Sequence, residues 1–207
     1  YLDHATWQLL KDHLSNQPIE SHKQNNHFQR NRFLFHLLYL MAPRVSEVSS
    51  HSMNSFRLYR GQWWWFVLGK GEKQGKIPAS DEMLAALMQY REHLGLSSLP
   101  DENDTTPLLR SISGTNGISA NMVYRQVKSV VKEAAESIRV DHPIQASTLD
   151  KASTHWFRHT SVTHGDDAGI DLKYLTRSAR HEKIETTAIY QHAEDDKWHK
   201  AWQKLKY

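Results

Sequence analysis

The sequence predicts a mainly α-helical protein with a small three-stranded antiparallel β-sheet, which is an α+β fold. Apolar residues recur at helical spacing through the first 50 residues. At residues 55–80 the pattern changes to short runs rich in aromatic and branched residues, separated by glycine-containing turns. Helical spacing returns at residue 81. With 207 residues, the chain is long enough to form one domain with a substantial core.

Capping and helix-breaking residues bound the predicted helices. Helices are expected at residues 6–15, 26–41, 45–50 and 81–93, and Ser119 caps another that extends to about Arg139. Pro43 ends the second helix and can also begin the third, because proline is tolerated at the first helical position. Residues 96–118 are rich in Ser, Pro, Asn, Asp and Gly and predict a long surface loop. Residues 153–206 predict consecutive helices with joints at residues 165–169 and 182–183.

The predicted sheet lies between the third and fourth helices. Its strands are the runs FRLYR, WWWFVLG and KIPAS, joined by a Gly61-Gln62 turn and a GKGEKQG turn. Side chains alternate between the two faces of a strand, so Trp63, Trp64 and Trp65 cannot all share one face. We expect these tryptophans to pack in the core and across strands rather than to stack on nucleic-acid bases.

The charge of the chain is nearly balanced, so composition alone does not identify a partner. Lys and Arg number 26 against 23 Asp and Glu, which gives a net charge of +3 with neutral His. A DNA-binding surface must therefore come from local clusters. Arg125, Lys128 and Lys132 lie on one side of a predicted helix, whereas Lys73 lies in the GKGEKQG turn and Lys76 directly follows it. Such clusters are usually solvated faces, and they become candidates for contacts to the DNA backbone only where other residues indicate a site that acts on DNA.

Composition also excludes several kinds of site. Cys is absent, which removes disulfides, thiolate nucleophiles and cysteine-based zinc sites. His155, His159 and His164 lack a well-placed carboxylate partner, so we predict neither a metal nor another cofactor. The sequence shows no apolar run as long as a membrane span and no signal peptide, and we therefore expect a cytoplasmic protein.

Five short motifs carry the chemistry. They are APRVSE at 42–47, GKG at 69–71, HWFRHT at 155–160, ARH at 179–181 and TTAIYQH at 186–192. Two arginines, a lysine, two histidines and a tyrosine form a metal-free set for breaking a phosphodiester. In order and spacing the motifs resemble the catalytic domain of the tyrosine recombinase, or phage integrase, family, and the resemblance spans nearly the whole chain.

The resemblance implies that a group of cations binds the phosphate that is cut. Arg44 and Arg158 are the candidate clamp on the non-bridging oxygens, because planar guanidinium groups match that geometry. His155 lies one helical turn before Arg158 and donates to the phosphate or moves the proton of the nucleophile. His181 donates a further hydrogen bond. Arg180 either adds a phosphate contact or crowds the backbone, since it occupies the place of the glycine in the family's Leu-Gly-His.

The same resemblance assigns the nucleophile and the general acid. Tyr190 attacks the phosphorus and leaves a 3′-phosphotyrosine and a free 5′-hydroxyl. Lys70, in the hairpin turn, protonates the departing 5′-oxygen, with Lys73 and Lys76 as rivals in the same hairpin. Tyr174 is expected in the core. Tyr207 ends the chain and is expected to be frayed.

For domain organisation, we expect a catalytic domain at residues 1–192 and a C-terminal helical tail at residues 193–207. The tail has an apolar stripe of Trp198, Ala201, Trp202 and Leu205, which either packs on its own domain or docks in trans on a neighbouring protomer. The N-terminal core-binding domain of the family is not found in this sequence. Double-stranded DNA is the expected partner, with a homotetramer at the synapse, a monomer for this fragment alone, and an accessory DNA-bending protein as a further partner.

Site-specific recombination through a Holliday junction is the function that the resemblance favours. Three alternatives stay open from the sequence. A type IB topoisomerase or a telomere resolvase uses the same chemistry, a silenced DNA-binding module retains only the binding surface, and a metal-dependent nuclease would require a metal that the motifs do not call for.

Overall fold

The computed structural model describes residues 1–68, 74–179 and 191–207, and for residues 191–196 it describes the backbone alone. Within those ranges the predicted class is confirmed, since the chain is mainly helical with one three-stranded antiparallel sheet. The helices are α1 (His4–Ser15), α2 (His22–Leu40), α3 (Val45–Ser50), α4 (Asp81–His93), α5 (Ala120–Ile138), α6 (Pro143–Lys151), α7 (Thr154–Asp167), α8 (Leu172–Ser178) and α9 (Gln191–Trp202). The strands are β1 (Phe56–Tyr59), β2 (Gln62–Leu68) and β3 (Gln74–Pro78).

Helix α2 is the centre of the packing. Every residue from Phe33 to Met41 is buried, so the C-terminal half of this helix has no solvent-facing side. Helices α1, α4 and α7 pack around it. The last turn of α2 leads directly to Arg44, so the core fixes the position from which that residue projects.

The sheet separates two aromatic layers. Strands β1 and β3 flank β2, with Trp65 paired to Phe56 on one side and to Ile77 on the other. Trp65 donates its indole N–H to the Ser55 hydroxyl, whereas Trp64, on the opposite face, packs against Trp198 of α9. The expectation that the three tryptophans divide between the two faces and pack in the structure is confirmed.

Two local predictions were incomplete or wrong. Helix α6 was not predicted, although Pro143 at its first turn is a helix-start signal. Gly165 was expected in a joint, but it lies inside α7, and the chain turns later at Gly169, where φ is +73°. A Cβ at Gly165 would lie 2.5 Å from Leu175 Cδ2, so the glycine allows α8 to pack closely on α7.

The predicted loop after α4 is held by polar contacts rather than by regular structure. The Arg91 guanidinium is 1 % exposed and donates to the Asp104 carboxylate and to the Ser97 carbonyl. Short bridges also pair Ser52 with Pro107 and Arg110 with Gly117. Among the described helices, none is both long enough and apolar enough to cross a lipid bilayer.

Candidate active site

Arg44 stands at the N-terminus of α3, after a sharp turn that follows α2. Ala42 adopts a left-handed conformation with φ of +44°, which is uncommon for a residue with a side chain. The Glu47 carboxylate accepts the backbone N–H of Arg44 at 2.6 Å and lies 3.2 Å from its guanidinium. Glu47 is almost fully buried while the side chain of Arg44 is 43 % exposed. Glu47 is therefore placed to orient Arg44 through both its backbone and its side chain.

Arg158, on α7, reaches the same turn from the other side. Its Nη1 donates to the Ala42 carbonyl at 2.7 Å, across 116 residues of sequence, and the residue is only 8 % exposed. Because Ala42 is two residues before Arg44, this contact brings the second arginine to the segment that carries the first. Arg44 and Arg158 therefore meet at one turn of the chain, and planar guanidinium groups have a geometry that matches phosphate oxygens.

His155 lies one turn before Arg158 on the same helix and is exposed. Its Nε2 is 2.8 Å from Nε2 of His159, one turn later, with the two rings at 85°. Helix α7 therefore buries Phe157 and Thr160 on one side and presents two histidine rings on the other. An exposed imidazole one helical turn from Arg158 can donate to an oxyanion or exchange a proton with it.

Five of the predicted residues lie outside the described ranges: Lys70, Lys73, Arg180, His181 and Tyr190. The described chain brackets them, since β2 ends at Leu68, β3 begins at Gln74, α8 is followed by Ala179 and α9 begins at Gln191.

The remaining cation of the hairpin, Lys76, lies against aromatic rings. Its ammonium is 4.5 Å from the centre of the Tyr59 ring and 4.4 Å from that of Trp64. Arg57 stacks in a similar way over Phe66 at 5.6 Å. These cation–π contacts keep positive charge on this face of the sheet.

Of the three basic residues on α5, one makes contacts within the fold and two are exposed. Arg125, Lys128 and Lys132 line a surface cavity of about 380 Å³ together with Asp150. Lys128 donates to the carbonyls of Asp150 and Ala152 at 2.9 Å each, so it ties α5 to the end of α6, just before the start of α7. Arg125 and Lys132 are exposed. Contacts from all three to DNA stay a prediction.

In this single chain the C-terminal tail packs on its own domain. Trp198 and Trp202 are at most 1 % exposed. The Trp202 indole donates to the Leu40 carbonyl at 2.9 Å, and the Trp198 indole donates to the Ser178 hydroxyl at 3.1 Å. Leu40 ends the helix that leads to Arg44, so the tail supports the candidate site from behind. Docking of the tail in trans stays a prediction.

Tyr207 was expected to be frayed, and this was wrong. Its ring stacks on His36 at 3.5 Å and meets Trp7 edge-on at 5.3 Å, while its backbone N–H donates to Glu82. Lys11 donates to its carbonyl at 2.8 Å. Aromatic packing at a chain end depends on tertiary neighbours, which the order of residues does not reveal. Tyr174 is buried, as expected.

Sequence patterns also missed two buried histidines, His164 on α7 and His36 on α2. His164 is 2 % exposed, stacks on His4 at 3.8 Å and lies 3.0 Å from the Tyr39 hydroxyl through Nδ1. Burial lowers the pKa of His164 to about 4 and that of His36 also to about 4. Burial raises the pKa of Tyr39 well above its ordinary range. All three groups are therefore neutral at pH 7.

Comparison with known proteins agrees with these motifs. The model of the phage integrase family matches residues 8–197. The chain belongs to this family. Tyrosine recombinase XerC of Corynebacterium glutamicum is 29 % identical over 177 residues, covering 86 % of this chain and 51 % of the relative. Tyrosine recombinase XerD of Chlorobaculum tepidum is 25 % identical over 86 % of this chain and 54 % of its own.

Solved structures of recombinases share the fold. The XerA recombinase superposes with a TM-score of 0.63 at 20 % identity, over 100 % of this chain and 65 % of its own. The XerH site-specific recombinase bound to its difH substrate superposes with a TM-score of 0.63 at 20 % identity, over 95 % of this chain and 53 % of its own. This phage integrase family chain spans about half the length of the curated relatives that it matches.

Proposed function

We propose that this chain is the catalytic portion of a site-specific DNA recombinase that cuts and rejoins strands through a covalent phosphotyrosine. The observation that carries the proposal is the hydrogen bond from Arg158 to the Ala42 carbonyl, which joins two motifs 116 residues apart at one site. Family membership and the described neighbourhood of Arg44, Arg158 and His155 support it.

The proposed reaction is a transesterification at phosphorus. The Tyr190 oxygen attacks and forms a new P–O bond, while the bond from phosphorus to the 5′-oxygen breaks and that oxygen takes a proton from Lys70. Arg44, Arg158 and a hydrogen bond from His181 stabilise the charge that develops on the non-bridging oxygens. The phosphotyrosine conserves the energy of the broken bond, so rejoining needs no ATP.

His155 has a distinct part in this scheme. The nucleophilic phenol must lose its proton, since a tyrosine of ordinary pKa near 10 is a poor nucleophile at neutral pH. His155 is exposed beside the clamp and can accept that proton directly or pass it to the phosphate. The 2.8 Å separation from His159 gives its ring a fixed partner while it does so.

The assembly around the reaction is also proposed. Double-stranded DNA is the substrate, contacted along its backbone by cations of α5 and of the hairpin, and four protomers exchange strands through a Holliday junction. Exchange of α9 between protomers would transfer the buried indoles of Trp198 and Trp202 from their own domain to a neighbour. An accessory DNA-bending protein completes the proposed set of partners. The chain alone is proposed to be monomeric and to bind DNA weakly, and nanomolar binding in physiological salt would contradict this.

Covalent trapping tests the function. The full-length protein is incubated with a randomised pool of nicked suicide duplexes in EDTA, beside a Tyr190→Phe variant, and the products are separated on a denaturing gel. A protein–DNA band that is absent from the variant supports Tyr190 as the nucleophile, and sequencing the trapped DNA identifies the site. A band that survives the substitution moves the nucleophile elsewhere. A parallel reaction contains Mg²⁺ in place of EDTA. Binding without any band in either reaction favours a silenced DNA-binding module, and cleavage that occurs only with Mg²⁺ favours a metal-dependent nuclease.

A further inference from the structure

His51 connects two catalytic motifs that lie apart in sequence. It follows α3 directly, and its Nδ1 lies 2.8 Å from the Glu47 carbonyl oxygen. Its Nε2 lies 2.9 Å from the backbone nitrogen of Leu68, 17 residues later. A carbonyl can only accept and an amide N–H can only donate, so Nδ1 carries the proton and Nε2 offers its lone pair. The two backbone partners therefore fix one neutral tautomer.

Each partner of this ring belongs to a different part of the proposed machinery. Glu47 holds Arg44 through its backbone N–H and its guanidinium. Leu68 is the last residue of β2 and pairs with Gln74, the first residue of β3, so the two residues form the base of the hairpin. The hairpin turn carries Lys70, two residues after Leu68 in the sequence.

The sheet itself does not supply an acceptor to the Leu68 amide. The pairing of β1 with β2 ends at Phe56 and Trp65, three residues before Leu68, because the chain before β1 turns away as the 3₁₀ turn Met53–Ser55. His51 takes the place that a continuing strand would occupy. Its ring is held by an edge-on contact with Trp65, at 5.7 Å between centroids.

Apolar packing does not fix the base of the hairpin in a comparable way. Leu68 is 55 % exposed. A cavity of about 440 Å³ lies beside it, lined by His51, Arg57, Phe66 and Gln74 among others. Among the described contacts, the hydrogen bond from the Leu68 amide to His51 is therefore the one that fixes the end of β2 relative to α3.

We propose that His51 is a positioning residue that couples the arginine clamp to the hairpin of the general acid. This inference rests on the proposed function, in which Lys70 protonates the leaving oxygen. With the link intact, the clamp and the hairpin keep one relative placement when the phosphate is bound. Without it, protonation of the leaving group slows while the clamp still binds DNA.

The test uses a matched pair of substitutions in the full-length protein. His51→Phe keeps a ring against Trp65 but removes the hydrogen bonds to Glu47 and Leu68, and His51→Gln restores one donor and one acceptor. Cleavage is timed on a nicked suicide duplex with an ordinary 5′-oxygen at the cut and on one with sulfur in that position. A departing thiolate needs no proton, so the sulfur duplex bypasses the general acid.

We expect His51→Phe to slow cleavage of the oxygen duplex by about ten-fold or more, which is part of the roughly 10²–10⁴-fold that a general acid contributes. DNA affinity should stay within about two-fold of wild type, the sulfur duplex should react at the wild-type rate, and His51→Gln should recover most of the loss. Equal slowing on both duplexes, or no slowing on the oxygen duplex, overturns the inference.

A Lys70→Ala variant run in parallel separates this inference from the proposed function. If the sulfur duplex does not restore its activity, the general-acid role of Lys70 fails. The link is then judged by hydrogen exchange of the Leu68 amide together with the oxygen duplex. Faster exchange and slower cleavage in His51→Phe, both reversed in His51→Gln, support positioning by His51. Unchanged exchange overturns it.

Discussion

Replacing Trp202 with Phe tests the packing of the tail on its own domain. The indole is 1 % exposed, and its N–H donates at 2.9 Å to the Leu40 carbonyl, one of the last carbonyls of α2. Such terminal carbonyls have no partner within their helix. Loss of the donor leaves a buried acceptor unpaired, which costs about 1–3 kcal/mol. The smaller ring leaves a cavity that costs about 1 kcal/mol more.

The free energy of unfolding should therefore fall by roughly 2–4 kcal/mol, measured by urea denaturation of a sample shown to be monomeric. For a domain of this size that corresponds to a decrease in Tm of roughly 4–16 °C. Trp63→Phe is the matched control, since Trp63 is only partly buried, and it should change stability by less than about 1 kcal/mol. A Trp202→Phe protein within about 0.5 kcal/mol of wild type would refute packing of the tail in cis.

Three further predictions concern the site and its surroundings. Arg158→Lys should slow strand cleavage by about 10²–10³-fold, because an ammonium cannot bind the Ala42 carbonyl and grip two phosphate oxygens at once. Glu47→Gln should slow it by about ten-fold through weaker orientation of Arg44, the equivalent of about 1.4 kcal/mol. Burial lowers the pKa of both His36 and His164 to about 4, so below pH 6.5 the unfolded state takes up protons that the folded state does not. Stability should therefore fall between pH 6.5 and 4, by up to about 2 kcal/mol per histidine at pH 5 in urea denaturation.

Each of these predictions has its own control. Both cleavage variants are compared with wild type for unfolding free energy, so that a loss of fold is not read as a loss of chemistry. If Arg158→Lys cleaves at the wild-type rate, the assignment of Arg158 to phosphate binding is wrong. For the pH effect, His36→Gln should flatten the slope, whereas His142→Gln, at an exposed position, should leave it unchanged. An equal slope in all three proteins would contradict the assignment to buried histidines.

Local signals in the sequence predicted the helices and strands well because their causes are local. Ser119 accepts from the Met122 amide at the start of α5, as a capping serine should, and Pro43 lies between α2 and α3. Helix α6 was missed because its apolar content is small and only Ala146 and Leu149 are buried. The apolar residues of α6 do not form a clear helical stripe, so the proline in its first turn is the main sign of this helix in the sequence.

The candidate site was predicted mainly from motif order, and spacing placed only His155 beside Arg158, one helical turn apart. The positions of Arg44 and Arg158 in the sequence do not show that Arg158 donates a hydrogen bond to the Ala42 carbonyl. The contacts of His51 with Leu68 and of His164 with Tyr39 were missed for the same reason. Pairs that meet through folding have no fixed spacing, so only the structure reveals them.

The hydrogen bond from Trp198 to Ser178 ties α9 to the end of α8 inside the core. Both indoles of the tail are at most 1 % exposed, so a tail that left its own domain would bring two large apolar rings and two N–H donors into water. A neighbouring protomer would have to offer an equally closed apolar site with an acceptor for each N–H group. The proposed exchange of α9 would therefore require a second copy that is already in place to receive the tail.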